Sequence, residues 1–164
     1  MNPVIKYFNG EKAESYLFLV LGIMGLVISS YLFFLKVSSY WKGFAIPFIL
    51  VSVLEIIVGI SLIYRSPKDI IRVENYIKNE QIKLKIEEIP RMEKVMKNFV
   101  VFRYVEIALI FIGAILYFAF ANSDFCRGLG LGLLIQASVV LSLDYLAERR
   151  GFIYLEYLNS ISYE

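Results

Sequence analysis

The sequence predicts an all-α, polytopic membrane protein with four transmembrane helices and a helical cytoplasmic hairpin between the second and third. Three observations carry this. Apolar residues make up 59% of the chain and aromatics 16%, against roughly 45–50% apolar content in soluble domains. The apolar residues gather into runs of about 20, the length that crosses a bilayer's hydrocarbon core. Lys and Arg fall overwhelmingly on one side of those runs. The 164 residues read as a single four-helix transmembrane domain.

Residues 1–14 are a polar and aromatic leader that Gly10 breaks, with Glu11 and Glu14 suited to the first turn of the helix that follows. The first span covers about 15–37. Its Gly22, Gly25 and Ser29 form a small-residue stripe fit for close helix contact. Tyr40, Trp41 and Lys42 follow this run in place of a small-residue cleavage site, so it reads as a retained helix rather than a signal peptide. The second span, about 44–64, tolerates Pro47 in its first turn and carries the stripe Ser52, Glu55, Gly59. Residues 65–98 are the long polar segment. Ser66-Pro67 marks a turn, with Pro67 placed to start a new helix, and Ile70, Val73 and Ile77 give that helix an apolar face. Ile82, Leu84 and Ile86 alternate like a strand, whereas Ile82, Ile86 and Ile89 suit a helix. With no strand partner elsewhere, helix is favoured, broken at Ile89-Pro90 because a residue before proline avoids helical angles. Met92, Val95, Met96 and Phe99 then lead into the third span, about 99–121. Asn122, Ser123 and Asp124 form a tight connection. The fourth span, about 127–147, repeats Gly128, Gly132, Gln136, Val140 and Asp144 every four residues. Phe152, Leu155 and Leu158 in the tail suggest an interfacial helix.

The leader holds two Lys or Arg residues, the 65–98 segment nine and the tail two. The short loops hold Lys36, Lys42 and Arg127. This bias places both termini and the hairpin in the cytoplasm. The bacterial inner membrane is the expected location, with Cys126 on the external face.

Two ionisable residues, Arg103 and Glu106, lie inside the third span and share a helix face. At the helical rise per residue, Arg103 lies roughly 7 Å from the cytoplasmic end, Glu106 about 12 Å, Glu55 about 15 Å and Gln136 about 16 Å. Four polar residues from three helices therefore reach comparable depth, each on its helix's small-residue stripe. Tyr117 continues the stripe of Arg103 and Glu106 through Ile110 and Gly113. One reading makes the cluster structural: Arg103 neutralises a carboxylate and holds helices 2 and 3 in register. The other is functional: with two carboxylates against one guanidinium, the remaining one calls for a proton or a cation. That would make an ion pathway or a polar pocket for a headgroup. Asp144, near the cytoplasmic rim, is expected to be solvated or paired with Arg149 or Arg150.

The sequence argues against several function classes. Histidine is absent and there is one cysteine, so no intrachain disulfide and no Cys-based zinc site can form. No metal and no cofactor is expected. A formal net charge of +2 does not call for nucleic acid. There is no GxSxG, Walker-type loop or HExxH, and no nucleophile accompanies the buried acids, which argues against an enzyme. The hairpin's nine basic and six acidic residues suit either a solvated helical pair against anionic lipid or a docking platform, for which Met92 and Met96 would be adaptable contacts.

Several segments are suggestive together: YRSPKD at 64–69, EEIPRMEKVMKNF at 87–99, YVEIAL at 104–109, RGLGLGLLIQA at 127–137 and DYLAERRG at 144–151. Through them the chain resembles a group of small bacterial four-span inner-membrane proteins of uncharacterised role. The resemblance implies a bacterial inner-membrane origin and carries over no activity and no functional residues.

The expected function is binding within the bilayer. The partner would be a membrane protein or a membrane-active toxin, with the chain serving as an accessory or immunity factor. The alternative is an oligomeric proton or cation transporter or channel using Glu55 and Glu106.

Overall fold

A computed structural model describes residues 3–35 and 38–161 of the chain. The end of the expected first span and Lys36 lie outside the described residues. Four helices are long and apolar enough to cross a membrane, and no strand occurs among the described residues. Helix α1 runs Pro3–Leu35 and α2 Ser39–Asn79. A single turn, α3, covers Gln81–Lys83 and a π-helical turn Leu84–Glu88. Helix α4 is Ile89–Ala119 and α5 is Asp124–Ser160. Each expected span is thus the part of a longer helix nearest the short connections, from which the helix runs on toward the hairpin end, and the third stops at Ala119, two residues before its expected end. Ser123 caps α5 by accepting from the backbone N–H of Cys126 at 3.3 Å.

Two expected breaks do not exist. Gly10 sits inside α1, and the absence of a side chain there makes room for a neighbour: a Cβ would meet the Arg150 Cδ at 2.7 Å. Ser66-Pro67 sits inside α2. Proline removes one helical N–H, but ion pairs brace the helix across it. Arg65 pairs with Asp69 at 3.2 Å and Asp69 with Arg72 at 3.0 Å.

The break expected at Ile89-Pro90 lies earlier. The chain reverses at Glu80, whose φ of −145° and ψ of 55° leave the helical region. Pro90 stands in the first turn of α4, and the Ile89 N–H just before it reaches five residues back to the Leu84 carbonyl. That wider turn rephases the side chains. Leu84 and Glu88 face inward, while Ile82 and Ile86 are more than half exposed. Neither face drawn from the sequence is therefore the buried one.

The helices pack in the order α1, α2, α5, α4, with a lighter contact between α1 and α5. Glycine sets how closely they approach. A Cβ on Gly22 would meet Ile56 and Ser52 across the α1–α2 contact. One on Gly132 would meet the Phe44 carbonyl at 2.6 Å. In α5, Gly128 and Gly132 face α2, and a Cβ on Gly130, on the opposite side, would meet the Gly113 carbonyl of α4 at 2.6 Å. The run RGLGLG therefore serves two interfaces, of which the four-residue spacing in the sequence marks one.

The buried core lies where the first turns of α1, the last turns of α5 and the α2–α4 hairpin meet. Val4, Tyr7 and Phe8 of α1 pack there with Val73, Leu84, Met92, Tyr154 and Leu158. The tail is consequently the last part of α5 and not a separate interfacial helix. Leu158 is fully buried and Leu155 packs on the core, while Phe152 is exposed.

Candidate functional site

The expected polar cluster is present in part. On α2 and α5, Gln136 donates through Nε2 to Glu55 Oε1 at 3.3 Å, and both side chains are buried. On α4 and α5, antiparallel packing matches Arg103 and Glu106, three apart, with Glu148 and Asp144, four apart. Arg103 pairs with Glu148, and Glu106 lies beside Asp144.

Arg103 therefore does not hold helices 2 and 3 together. It faces α5, where Glu148 stands one turn beyond Asp144, and neither Glu55 nor Glu106 is its salt-bridge partner. Asp144 is not paired with Arg149 or Arg150, because Arg150 is drawn to Glu14. Tyr117 lies apart from the acids, about 16 Å along α4 from Glu106 by helical rise. Its ring instead receives the Arg127 guanidinium, 5.5 Å from the centroid.

A cavity of about 410 Å³ separates the α1–α2 pair from α4, floored by α5. Its walls are apolar, including Phe18, Val58, Leu62 and Phe99. Leu54, Phe102 and Val105 also line it, each at least half exposed. Five carboxylates and two guanidiniums reach it. Glu11 pairs with Arg65 at 3.0 Å, and Glu14 is chelated by both terminal nitrogens of Arg150. Among the described residues, Glu55, Glu106 and Asp144 have no salt-bridge partner. Glu106 is 6% exposed, and its buried Oε2 has no hydrogen-bond partner. Glu106 and Asp144 also line a second cavity of about 530 Å³ on the outer side of α4 and α5, together with Arg103 and Glu148. The two carboxylates thus form the partition between two hollows. Among the described residues no three His, Cys, Asp or Glu side chains are grouped to hold a metal ion.

Sequence reasoning missed a second polar layer, at the hairpin end. Glu88 is 1% exposed. It accepts two hydrogen bonds from Arg91, at 2.6 and 2.9 Å, and one from the Tyr154 hydroxyl at 3.0 Å. Arg72 adds a contact at 3.3 Å and links Glu88 to Asp69. Through Arg65 the chain of charges reaches Glu11, which also accepts from the Ser66 hydroxyl at 3.0 Å. Tyr7 and Tyr154 stack above this layer with ring centroids 4.3 Å apart. Burial pushes the Tyr7 phenol up to about 12, helped by the nearby Glu11 charge. Burial, then Glu88, raises Tyr154. A signal for this layer did exist in the sequence. Tyr7, Glu11, Glu14 and Phe18 recur at helical spacing on one face, but a helix broken at Gly10 hides it.

No family model, curated protein or solved structure matches the chain.

Proposed function

We propose that this is a multi-pass membrane protein that acts by binding, with the cleft between α1–α2 and α4 as the place where a membrane-resident partner enters. The observation that carries the reading is the cleft itself. It is walled by apolar side chains, its lining includes half-exposed Leu54, Phe102 and Val105 at spanning depth, and it holds carboxylates without basic partners. A cavity of this volume, mostly apolar with a few convergent polar groups, is the usual form of a binding site. The lining offers acids but no activated nucleophile, which favours an accessory or immunity role over catalysis. The charge distribution supports the bacterial inner membrane, with both termini and the hairpin on the cytoplasmic side.

The test is co-purification from native membranes, comparing wild type with Val58→Trp, which fills the cleft. The expected result is a partner retained by wild type and lost from the variant at unchanged thermal stability. Recovery of only bulk lipid and further copies of the chain, in several detergents, would sink the reading.

A second reading is a proton or cation pathway. The unpartnered Glu106 oxygen favours it, and the partition between two cavities suits hand-over between them. Four helices alone rarely enclose a wide aqueous pore, so passage across the membrane would need more than one copy. Proteoliposome flux decides between the readings: equal flux from wild type and Glu55→Gln/Glu106→Gln removes these residues from any transport role.

A further inference from the structure

The charges around the cleft do not balance, and the imbalance indicates what would fit there. Both guanidiniums that line it are engaged, Arg65 by Glu11 and Asp69 and Arg150 by Glu14. The guanidinium nearest Glu106, that of Arg103, is held by Glu148 on the far side of the partition. Glu55 receives one neutral hydrogen bond, from Gln136. The deeper carboxylates, Glu106 and Asp144, are left to each other. Among the described residues no basic, amide or hydroxyl group donates to the buried Glu106 Oε2. A buried acceptor without a donor is uncommon and costly, and placing two acids side by side in a low-dielectric site adds repulsion whenever both are charged. One N–H-bearing cation relieves both penalties.

We propose that the cleft binds an amphipathic cation, an alkylammonium or alkylguanidinium, whose head is held by Glu106 and Asp144 and whose apolar body lies along Phe18, Leu54, Val58 and Phe102. The proposal rests on the binding reading above and adds the chemical class of the ligand. The geometry divides the work. The carboxylates stand on the α4 and α5 side, where a head can donate to Glu106 Oε2 and to Asp144. The apolar walls come from α1, α2 and α4, where a chain or ring displaces lipid or water. Glu55 stands across the cleft and adds field without needing to make the first contact. An anion of the same shape would meet three carboxylates and is rejected. A neutral analogue gains the apolar contact but leaves the acids as they were.

The experiment uses the full-length protein in detergent at neutral pH and three probes of one shape: 4-phenylbutylammonium, 4-phenylbutanol and 4-phenylbutanoate. Titration calorimetry should show saturable one-to-one binding of the ammonium, with the alcohol and carboxylate about tenfold weaker or worse. The Glu106→Gln/Asp144→Asn variant, isosteric and uncharged, should lose the preference for the ammonium while still melting cooperatively. If that variant does not fold, Glu55→Gln should lower ammonium affinity by a smaller factor, and Val58→Trp should abolish it. Three results would overturn the proposal: equal affinity for all three heads, ammonium binding that the carboxylate variants leave unchanged, or no saturable ammonium binding. Binding of the alcohol or carboxylate as tight as that of the ammonium, and removed by Val58→Trp, would overturn the cation and leave the cleft as a binding site. Failure of every probe, together with an empty co-purification, would remove both.

Discussion

The two halves of the bundle are held together by different means. Toward the short connections the helices meet backbone to backbone. Gly43 faces the Phe125 carbonyl, Gly128 the Tyr40 carbonyl, and Gly130 and Gly113 face each other. In lipid, where apolar surface gains little by leaving its surroundings, such close packing is the main source of attraction between helices. Toward the hairpin α1 and α2 still meet at Gly59, where a Cβ would reach the Ser15 carbonyl at 2.8 Å, but the cleft opens between that pair and α4, and long charged side chains tie the helices together. Glu14–Arg150 joins α1 to α5, Glu11–Arg65 joins α1 to α2, and Arg72–Glu88 joins α2 to the π-helical turn. The difference teaches why the cleft lies where it does. Glycine contacts leave no volume, whereas at the hairpin end α4 packs on α5 and leaves a hollow between itself and the α1–α2 pair, edged by these charged side chains. The closed half fixes helix order, and the bridged half can carry a site.

If the bridged half depends on its charges, Glu88 is the residue to remove first. It gathers Arg91, Arg72 and the Tyr154 hydroxyl on one fully buried carboxylate. Its loss would strand the Arg91 guanidinium and the Tyr154 phenol and leave Arg72 with Asp69 alone. Breaking a buried pair from one side costs on the order of 3–5 kcal/mol. Glu88→Ala should therefore lower the melting temperature in detergent more than any other single change discussed here. An unchanged melt would mean that apolar packing of Val4, Phe8, Leu84 and Leu158 suffices, and the contrast between the halves would collapse.

Gly128→Val is the matching test of the closed half. Even a Cβ would collide with the Tyr40 carbonyl, and backbone cannot yield as a flexible side chain can. Overpacking of this kind costs about 3 kcal/mol. The expected outcome is a lower melting temperature with α2 and α5 forced apart, readable as a longer distance between spin labels on the two helices. The same substitution at Gly10 should be milder, because there the neighbour is the Arg150 side chain, which can move.

The fold class and the four spans were legible because runs of about 20 apolar residues carry their meaning locally. The α2–α5 contact was legible too: Gly128 and Gln136 recur every four residues, and the depth estimate placed Gln136 and Glu55 level. The partners of Arg103, Asp144 and Arg150 were not. Each guanidinium has several carboxylates within reach along the chain, and the choice depends on which helices are neighbours and in which direction they run. Helix ends were misread for the opposite reason. Gly10 and Pro67 look like breaks by local propensity, and tertiary bridges through Arg150 and through Arg65–Asp69–Arg72 override it. The π-helical turn at Leu84–Glu88 has no period-based signature, so it could not be read from spacing.

The buried tyrosines give the bridged half a pH limit that the closed half lacks. Tyr7 has a folded pKa of about 12, above its ordinary value of 10.0. A group raised in this way binds its proton more tightly in the folded state. Its contribution is complete below about pH 10 and is lost as pH rises through the folded value, a change on the order of 2 kcal/mol. Stability of the wild type should therefore fall between about pH 10 and 12. Tyr7→Phe, which keeps the ring stacked on Tyr154, should flatten that fall. An identical alkaline profile for the variant would assign the loss to Tyr154 or to the lysines.

The smallest effect is expected at the residue that stood out most in the sequence. Arg103 looked like an expensive charge whose removal would strand a buried acid. In the structure its side chain is 42% exposed and its partner Glu148 is 17% exposed, so solvent or headgroups share the interaction. Pairs of that kind contribute about 1 kcal/mol or less. Arg103→Ala should lower the melting temperature only slightly, far less than Glu88→Ala. The two arginine-to-alanine changes at 103 and 150 should also differ, because Arg150 is more enclosed and chelates Glu14 through two nitrogens. A loss at Arg103 as large as that at Glu88 would show that the α4–α5 partition, rather than the hairpin layer, is where the bridged half is anchored.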